Sequence, residues 1–291
     1  MSTALVDIAP AKINLTLRVL GRRADGYHDL ESLVAFADVA DRLTLVPGAK
    51  LGLEVIGPFA DAAGPIQDNL VIKAVAALRE RKGGLKAGHF TLEKNIPVAG
   101  GVGGGSADAA AALRLLARAN NMAAGDPRLA SAGLRVGADV PVCLDCRVRL
   151  MRGVGDLLSE PIDLPHLPAV LANPGKPLAT RDVFAKFNGI SGKRRIDTIP
   201  PMVDALIDFL KLHDNDLEPA AVVCEPAVGD VMMALRALPG TRLVRMSGSG
   251  PTCFALFGSS AEAASAARRL QTENKGWWVR AASFGSVALN P

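Results

Sequence analysis

The sequence predicts a globular α/β or α+β protein of two domains, and three observations carry that expectation. Of 291 residues, 49% are hydrophobic, 21% charged and only 4% aromatic, which describes a chain built from small aliphatic side chains. The length suits two ordinary domains, and three prolines within residues 161–168 mark a boundary between 1–160 and 161–291. Within the first of these, residues 97–116, PVAGGVGGGSADAAAALRLL, pass from a glycine-rich run directly into an alanine- and leucine-rich helix.

In chain order, residues 12–19 alternate, with Ile13, Leu15, Leu17 and Val19 on one face and Asn14, Thr16 and Arg18 on the other, so they read as a strand. Lys12 stands at its start. A turn over 21–28 ends in the chain's only tyrosine, Tyr27, beside His28. Strands follow over 30–37, 42–46 and 51–56, suggesting an antiparallel sheet. Asp68 or Asn69 caps a helix that runs to Arg81 and stops at Gly83-Gly84. A strand over 90–96 then feeds the glycine loop.

Five of the seven residues from 100 to 106 are glycine, so this backbone can take positive φ or lie flat against another molecule. The following helix is expected to start at Ser106 as N-cap, with Asp108 in its first turn and Ala109, Leu113 and Leu116 along one face. Unpaired N–H groups of loop and first turn then converge on one spot, which attracts anions, phosphate above all. A helix over 127–135 ends at Gly137, and residues 138–142 lead into another strand with Asp139 at its corner. A strand over 147–151 and the loop 153–156 close the first half.

The second half reads as a strand over 169–172, a Pro-rich loop to Thr180, and helices over 181–187, 201–212 and 226–238. A strand over 242–246, the turn 247–250, a strand over 252–257, a helix over 261–270 and a strand over 277–284 complete it. That order resembles a split βαβ, or ferredoxin-like, layer.

A net charge of +4 suits anionic ligands but equally fits ordinary surface Lys and Arg. Nucleic-acid binding is not expected, because the densest basic cluster, Lys193-Arg194-Arg195, lies in a Gly- and Pro-flanked loop without aromatics to stack on bases. No apolar run approaches the roughly 20 residues of a spanning helix, and the start MSTALVDIAP lacks a basic segment followed by an apolar one. A cytoplasmic protein without membrane contact is expected. Cys143 and Cys146 form CxxC, but no second ligand pair accompanies them, so reduced, half-buried strand cysteines are expected.

The glycine loop is no Walker A sequence, since no Gly-Lys-Ser/Thr closes it, and from Gly101 it runs G-x-G-x-x-S rather than the dinucleotide fingerprint. Protein-kinase signatures are absent. It resembles instead the second signature of the GHMP kinases, a superfamily of small-molecule kinases whose loop reads Pro-x-x-x-Gly-Leu-Gly-Gly-Gly-Ser-Ser. Here that reads Pro97-Val98-Ala99-Gly100-Gly101-Val102-Gly103-Gly104-Gly105-Ser106-Ala107, with Val102 and Ala107 departing from Leu and Ser. The loss of the second serine removes one hydroxyl. The first signature resembles Pro10-Ala11-Lys12-Ile13-Asn14-Leu15 and the third Ser247-Gly248-Ser249-Gly250-Pro251-Thr252-Cys253-Phe254, and three motifs in order are far more specific than one.

Within the superfamily, APAKINL with DGYHDLES, GADVPV with a later GVG, and NDLE at 215–218 resemble the member whose alcohol substrate carries a cytidine diphosphate group. The resemblance implies an α+β fold with an N-terminal ribosomal protein S5 domain 2-like domain, a C-terminal ferredoxin-like domain and the active site between them. It implies that Lys12 and Asp139 are catalytic and that the glycine loop holds ATP. Asn69 and Lys94 would border the adenine pocket. Tyr27 and His28 would hold the cytidine end with Phe184 as a second stacking face. Asn14, Thr180, Gly248 and Ser249 would orient the rest of the substrate.

ATP is the implied co-substrate and Mg2+ its companion ion, riding on ATP and touched by Ser106, with no protein metal ligands assigned. The implied partner is a small molecule, and the implied state a monomer or weak homodimer. Rival readings are a GHMP kinase for homoserine, mevalonate, phosphomevalonate or a sugar, a non-catalytic ATP-binding protein, and a nicotinamide-dependent oxidoreductase. The Tyr27-His28 pair, the joint presence of Lys12 and Asp139, and the poor dinucleotide fingerprint count against them in turn.

Overall fold

The computed structural model describes residues 3–189 and 195–289, so Lys193 and Arg194 of the basic cluster lie outside the described residues. Three strands open the chain, β1 (Leu5–Asn14), β2 (Arg18–Arg22) and β3 (His28–Pro47). The expected strand over 12–19 is thus two, because the chain bends at residues 15–17 between β1 and β2. The strands expected over 30–37 and 42–46 are one. Polar residues at the join have distant partners that let the strand continue: Asp38 accepts from the Ser283 backbone at 2.8 Å, and Asp41 is bound by Lys94.

β4 (Gly52–Ile56) leads through two short 3-10 turns to α1 (Leu70–Arg81), where Asn69 accepts from the Val71 amide at 2.9 Å as the expected cap. β5 (Gly88–Glu93) pairs antiparallel with β3 but parallel with β4, so the sheet is not wholly antiparallel. α2 (Gly104–Ala119) and α3 (Pro127–Val136) follow. α2 begins two residues before the expected Ser106, and Asp108 lies beyond its first turn. Residues 138–142 do not enter a strand: Pro141 has no N–H to give a ladder, and Pro141–Cys143 form a 3-10 turn. β6 (Arg149–Gly153) and β7 (Leu157–Leu158) complete this half.

β8 (Leu167–Asn173), α4 (Thr180–Lys186), α5 (Val203–Lys211), α6 (Glu218–Cys224), α7 (Ala227–Arg236), β9 (Leu243–Met246), β10 (Cys253–Leu256), α8 (Ser260–Glu273) and β11 (Trp278–Gly285) make up the rest. α6 was not anticipated, being too short to show a helical period. The order β11-β8-β10-β9, antiparallel throughout, is the ferredoxin-like arrangement expected of this half. β11 also pairs with β3 at Phe284↔Ala37 and Gly285↔Phe36, so hydrogen bonding continues from one half to the other.

Three apolar clusters correspond to this layout. One lies under α1 and α2 against β1, β3 and β5, where Ala109–Ala112 are fully buried and allow close helix approach. A second lies between α7, α8 and the C-terminal sheet, taking Val170 and Ala172 of β8. The third takes Ala169 and Leu171 from the opposite face of β8 and joins them to Ile13, Leu15, Leu33 and Val102, so it fastens the two halves together. Among the described residues, no helix is long and apolar enough to cross a membrane.

Candidate active site

The glycine loop is fixed by contacts that only glycine allows. Gly101 has φ +74°, and a Cβ there would stand 2.6 Å from the backbone oxygens of both Ser247 and Gly250. The loop therefore lies flat against the 247–250 turn, where Ser247 Oγ donates to Gly101 O at 3.1 Å and the Thr252 amide donates to Gly100 O at 3.1 Å. Gly103, φ +62°, brings the chain so close to Lys12 that a Cβ would stand 3.0 Å from its side chain. Gly103 supplies no side-chain cap to α2, so the amides at that helix start lack a side-chain acceptor and the positive end of the helix dipole faces outward.

Lys12 follows a register shift in the β1–β3 pairing, which re-aims its side chain. Its amide donates to Val102 O at 2.8 Å, and its ammonium lies 3.0 Å from Asn14 Oδ1 and 3.2 Å from Asp139 Oδ2. Asn14 is held in turn, donating through Nδ2 to Ser32 Oγ at 2.7 Å and through its backbone to Ser247 Oγ at 3.1 Å. The Lys12 side chain is 4% exposed and that of Asp139 is 36% exposed, so the carboxylate looks into open space while the lysine beneath it does not.

That space is a cavity of about 570 Å³ lined by Lys12, Asn14, Asp139, Ser106, Gly248 and Ser249 together with the loop glycines. A second cavity, about 210 Å³, is lined by Asn69, Lys94, Pro97 and Val98 and shares Ala99, Gly104 and Gly105 with the first. A third, about 770 Å³, is lined by Tyr27 and His28 and shares Thr180 and Phe184 with the first. The second and third cavities therefore each border the first. Val102 and Ala107 are buried in the core and line none of the three, so the hydroxyl missing at Ala107 is missing from the core side of the helix.

In the third cavity His28 itself stacks on Phe184, with ring centroids 4.9 Å apart, and meets Phe187 edge-on at 6.4 Å. Tyr27 is 68% exposed at the rim. Thr180, which lines both the third and first cavities, places its Oγ1 2.8 Å from Ser249 Oγ in the first.

Sequence reasoning missed a second ionic cluster. Lys94 lies between Asp41, with which it makes a close ion pair, and Asp108, at 2.8 Å. Asp41 also accepts from the amides of Asn95 and Ile96, which anchors the chain as it enters the glycine loop. Asp108, expected at the helix start, therefore points inward. Burial opposes the charge on Lys94, but Asp108 and Asp41 outweigh it and hold its ammonium above the ordinary value. Burial pushes the Asp108 carboxyl up, Lys94 pulls it back and Asp41 adds to the rise, leaving it at about 7. Asp41 falls in the gap between the strands read over 30–37 and 42–46, beside the charged Arg42, so nothing in the sequence marks it as buried.

Glu31, fully buried, is likewise held by Arg18 and Arg152, both at 2.9 Å. Cys143 and Cys146 are free and buried, outside any strand, and burial pushes both thiols up, that of Cys146 to about 12. They do not sit half-buried in strands as expected. Among the described residues, no three His, Cys, Asp or Glu side chains gather as a set that could hold a metal ion.

The arrangement suits phosphoryl transfer in its parts. A glycine loop and helix start receive an anion, and a carboxylate paired with a lysine faces the same cavity, able to accept a proton.

The chain as a whole is similar to several known proteins. Residues 69–146 match the profile of the GHMP kinases N terminal domain, and residues 202–276 that of GHMP kinases C terminal. A 4-diphosphocytidyl-2-C-methyl-D-erythritol kinase of Rhodopseudomonas palustris is 55% identical over 97% of this chain and 99% of its own. Its counterpart in Nitrobacter hamburgensis is 51% identical over 97% of this chain and 96% of its own. Among solved structures, a 4-(cytidine 5'-diphospho)-2C-methyl-D-erythritol kinase superposes with TM-score 0.76 at 34% identity, covering 97% of this chain and all of that one. A homoserine kinase from Cytophaga hutchinsonii, at 20% identity and TM-score 0.73 over all of this chain and 98% of its own, shares the fold.

Proposed function

The chain belongs to the GHMP kinases, and on that premise we propose that it transfers the γ-phosphoryl group of ATP to the 2-hydroxyl of 4-diphosphocytidyl-2-C-methyl-D-erythritol. The reaction serves the non-mevalonate route to isopentenyl diphosphate and dimethylallyl diphosphate. The observation that carries this reading is the Lys12–Asp139 pair, set in a cavity that joins the glycine loop on one side to the His28–Phe184 pocket on the other.

In this reading Asp139 accepts the hydroxyl proton, and Lys12 hydrogen-bonds both Asp139 and the hydroxyl, offsetting charge as the oxygen attacks. The loop from Pro97 to Ala107 and the start of α2 receive the phosphates through backbone amides. Asn69 and Lys94 border the adenine. The Lys94 ammonium is held by two carboxylates, so its contribution there comes from its stem and backbone. Tyr27, His28 and Phe184 take the cytosine, while Asn14, Thr180, Gly248 and Ser249 orient the diphosphate and the alcohol. Residues 1–160 and 161–291 are the two domains of this reading, each supplying one wall.

The donor set suits Mg2+ carried on ATP rather than caged by protein: Ser106 offers a hydroxyl at the phosphates, and Asp139 is already engaged by Lys12. When bound, the ion neutralises phosphate charge. The protein works in the cytoplasm as a monomer or weak homodimer.

An ATP-consumption assay with 4-diphosphocytidyl-2-C-methyl-D-erythritol, homoserine, mevalonate and galactose tests the substrate. Turnover with the cytidyl compound alone supports the reading, and preferred turnover of another alcohol overturns it. Stacking on an aromatic side chain is worth about 1–3 kcal/mol per base, so Tyr27→Ala is expected to raise the KM for the cytidyl substrate about tenfold and leave that for ATP nearly unchanged. An equal rise in both would remove Tyr27 from cytidine recognition.

A further inference from the structure

A cavity of about 570 Å³ shares only Pro97 and Val98 with the pocket proposed for adenine, and is otherwise walled by residues that the proposed reaction does not use. Lys176, Lys275 and Arg280 line it, and no Asp or Glu does. Three cations around one concavity with no anion among them raise the local concentration of anions.

The apolar part of the wall is as distinctive. Trp277, Trp278 and Phe59 line the cavity, and the Arg280 guanidinium sits 5.6 Å from the centroid of the Trp278 ring. Trp278 is nine-tenths buried, yet its indole Nε1–H has no acceptor. That nitrogen is itself closed off from solvent, so what the cavity offers an occupant is its three cations and its tryptophan rings.

We propose that this cavity binds a small organic phosphate or diphosphate, its anionic end among Lys176, Lys275 and Arg280 and its ring or hydrocarbon part against the tryptophans. Guanidinium matches phosphate with paired N–H donors, and indole offers a flat apolar face. The occupant would lie next to the nucleotide loop without entering it. Asn173 lines the cavity and donates to Thr252 Oγ1 at 2.8 Å, and the Thr252 amide in turn holds Gly100 O.

The experiment uses a property of the sequence: Trp277 and Trp278 are the chain's only tryptophans, so tryptophan emission reports this cavity alone. The full chain, saturated with a non-hydrolysable ATP analogue to fill the glycine loop, is titrated with phenyl phosphate, inorganic phosphate and phenol. The expected result is a saturable emission change with phenyl phosphate, weaker binding of inorganic phosphate, and none with phenol. Loss of charge-assisted bonds in Lys275→Gln/Arg280→Gln, whose thermal midpoint is checked to confirm folding, should weaken phenyl phosphate at least about tenfold.

A flat titration overturns the site, as does unaltered affinity in the variant. Equal response to phenol overturns the anionic half of the proposal, and equal affinity for inorganic phosphate overturns the apolar half. Since the readout is binding and not turnover, its failure leaves the kinase reading untouched.

Discussion

Lys12 and Lys94 flank the same glycine loop, each with a side chain 4% exposed and each within ion-pair distance of aspartate, yet their surroundings differ in one respect. Lys94 lies between two carboxylates that are themselves buried, and the amides of Asn95 and Ile96 complete the coordination of Asp41. Lys12 has a single carboxylate, Asp139, 36% exposed and facing the central cavity, with the Asn14 amide as its other partner. The residue types are the same in both clusters. Access to a cavity separates a group that can take a proton from a substrate from one that fixes the entry to a loop.

The sharpest test of that difference is a pair of substitutions with opposite expected outcomes. Asp139→Asn keeps the shape and removes the base, so turnover should fall by about 10²–10⁴ while ATP affinity and the thermal midpoint stay close to wild type. Unchanged turnover would rule out Asp139 as the base. Lys94→Met should do the reverse. It leaves Asp41 and Asp108 buried without their cation, a change that costs about 3–5 kcal/mol of stability in urea unfolding. Turnover per folded molecule at saturating ATP should fall far less than in Asp139→Asn. If Lys94→Met instead abolished turnover at unchanged stability, the two lysines would not divide the labour in this way.

The two clusters were also unequally legible in the sequence. Lys12 and Asp139 stand in short motifs with family resemblance, so both could be named, but their meeting is a tertiary contact between β1 and the turn just before Pro141–Cys143, which local pattern led into a strand. Asp41 and Asp108 stand in no such motif, and the helix start that seemed to explain Asp108 lies earlier than the sequence implied. Ser106 is a good cap by type. The chain begins α2 at Gly104 because Gly103 turns left-handed against Lys12, a contact that no local rule contains.

Elements fixed by their own ends were read well. Asn69 caps α1, and Gly137 closes α3. Elements fixed by distant partners were not. β3 continues through Asp38 and Asp41 because Ser283 and Lys94 satisfy them, and residues 138–142 leave the sheet because Pro141 cannot pair. The ferredoxin-like order of the second half was visible because its strands and helices alternate with clear turns between them. Pairing of β11 with β3 was not, since it depends on two residues meeting across the molecule.

A finer distinction lies within the closed cluster, between its two aspartates. Asp108 keeps one oxygen, Oδ1, without a hydrogen-bond partner, while Asp41 is bound by Lys94 and two backbone amides. An aspartate that titrates near 3.8 in the unfolded chain and at about 7 in the folded one binds more protons folded than unfolded between those values. Its contribution to stability is therefore fully present below about pH 4 and is lost as pH rises towards 7, at no more than about 1.4 kcal/mol per pH unit. Lys94, held above its ordinary value, contributes in the alkaline range and does not alter this window. Asp108→Asn cannot titrate, so calorimetric midpoints of variant and wild type should diverge in the variant's favour as pH rises from 4 to 8. Parallel curves would mean that Lys94 keeps Asp108 ionised across that range and that burial does not raise it.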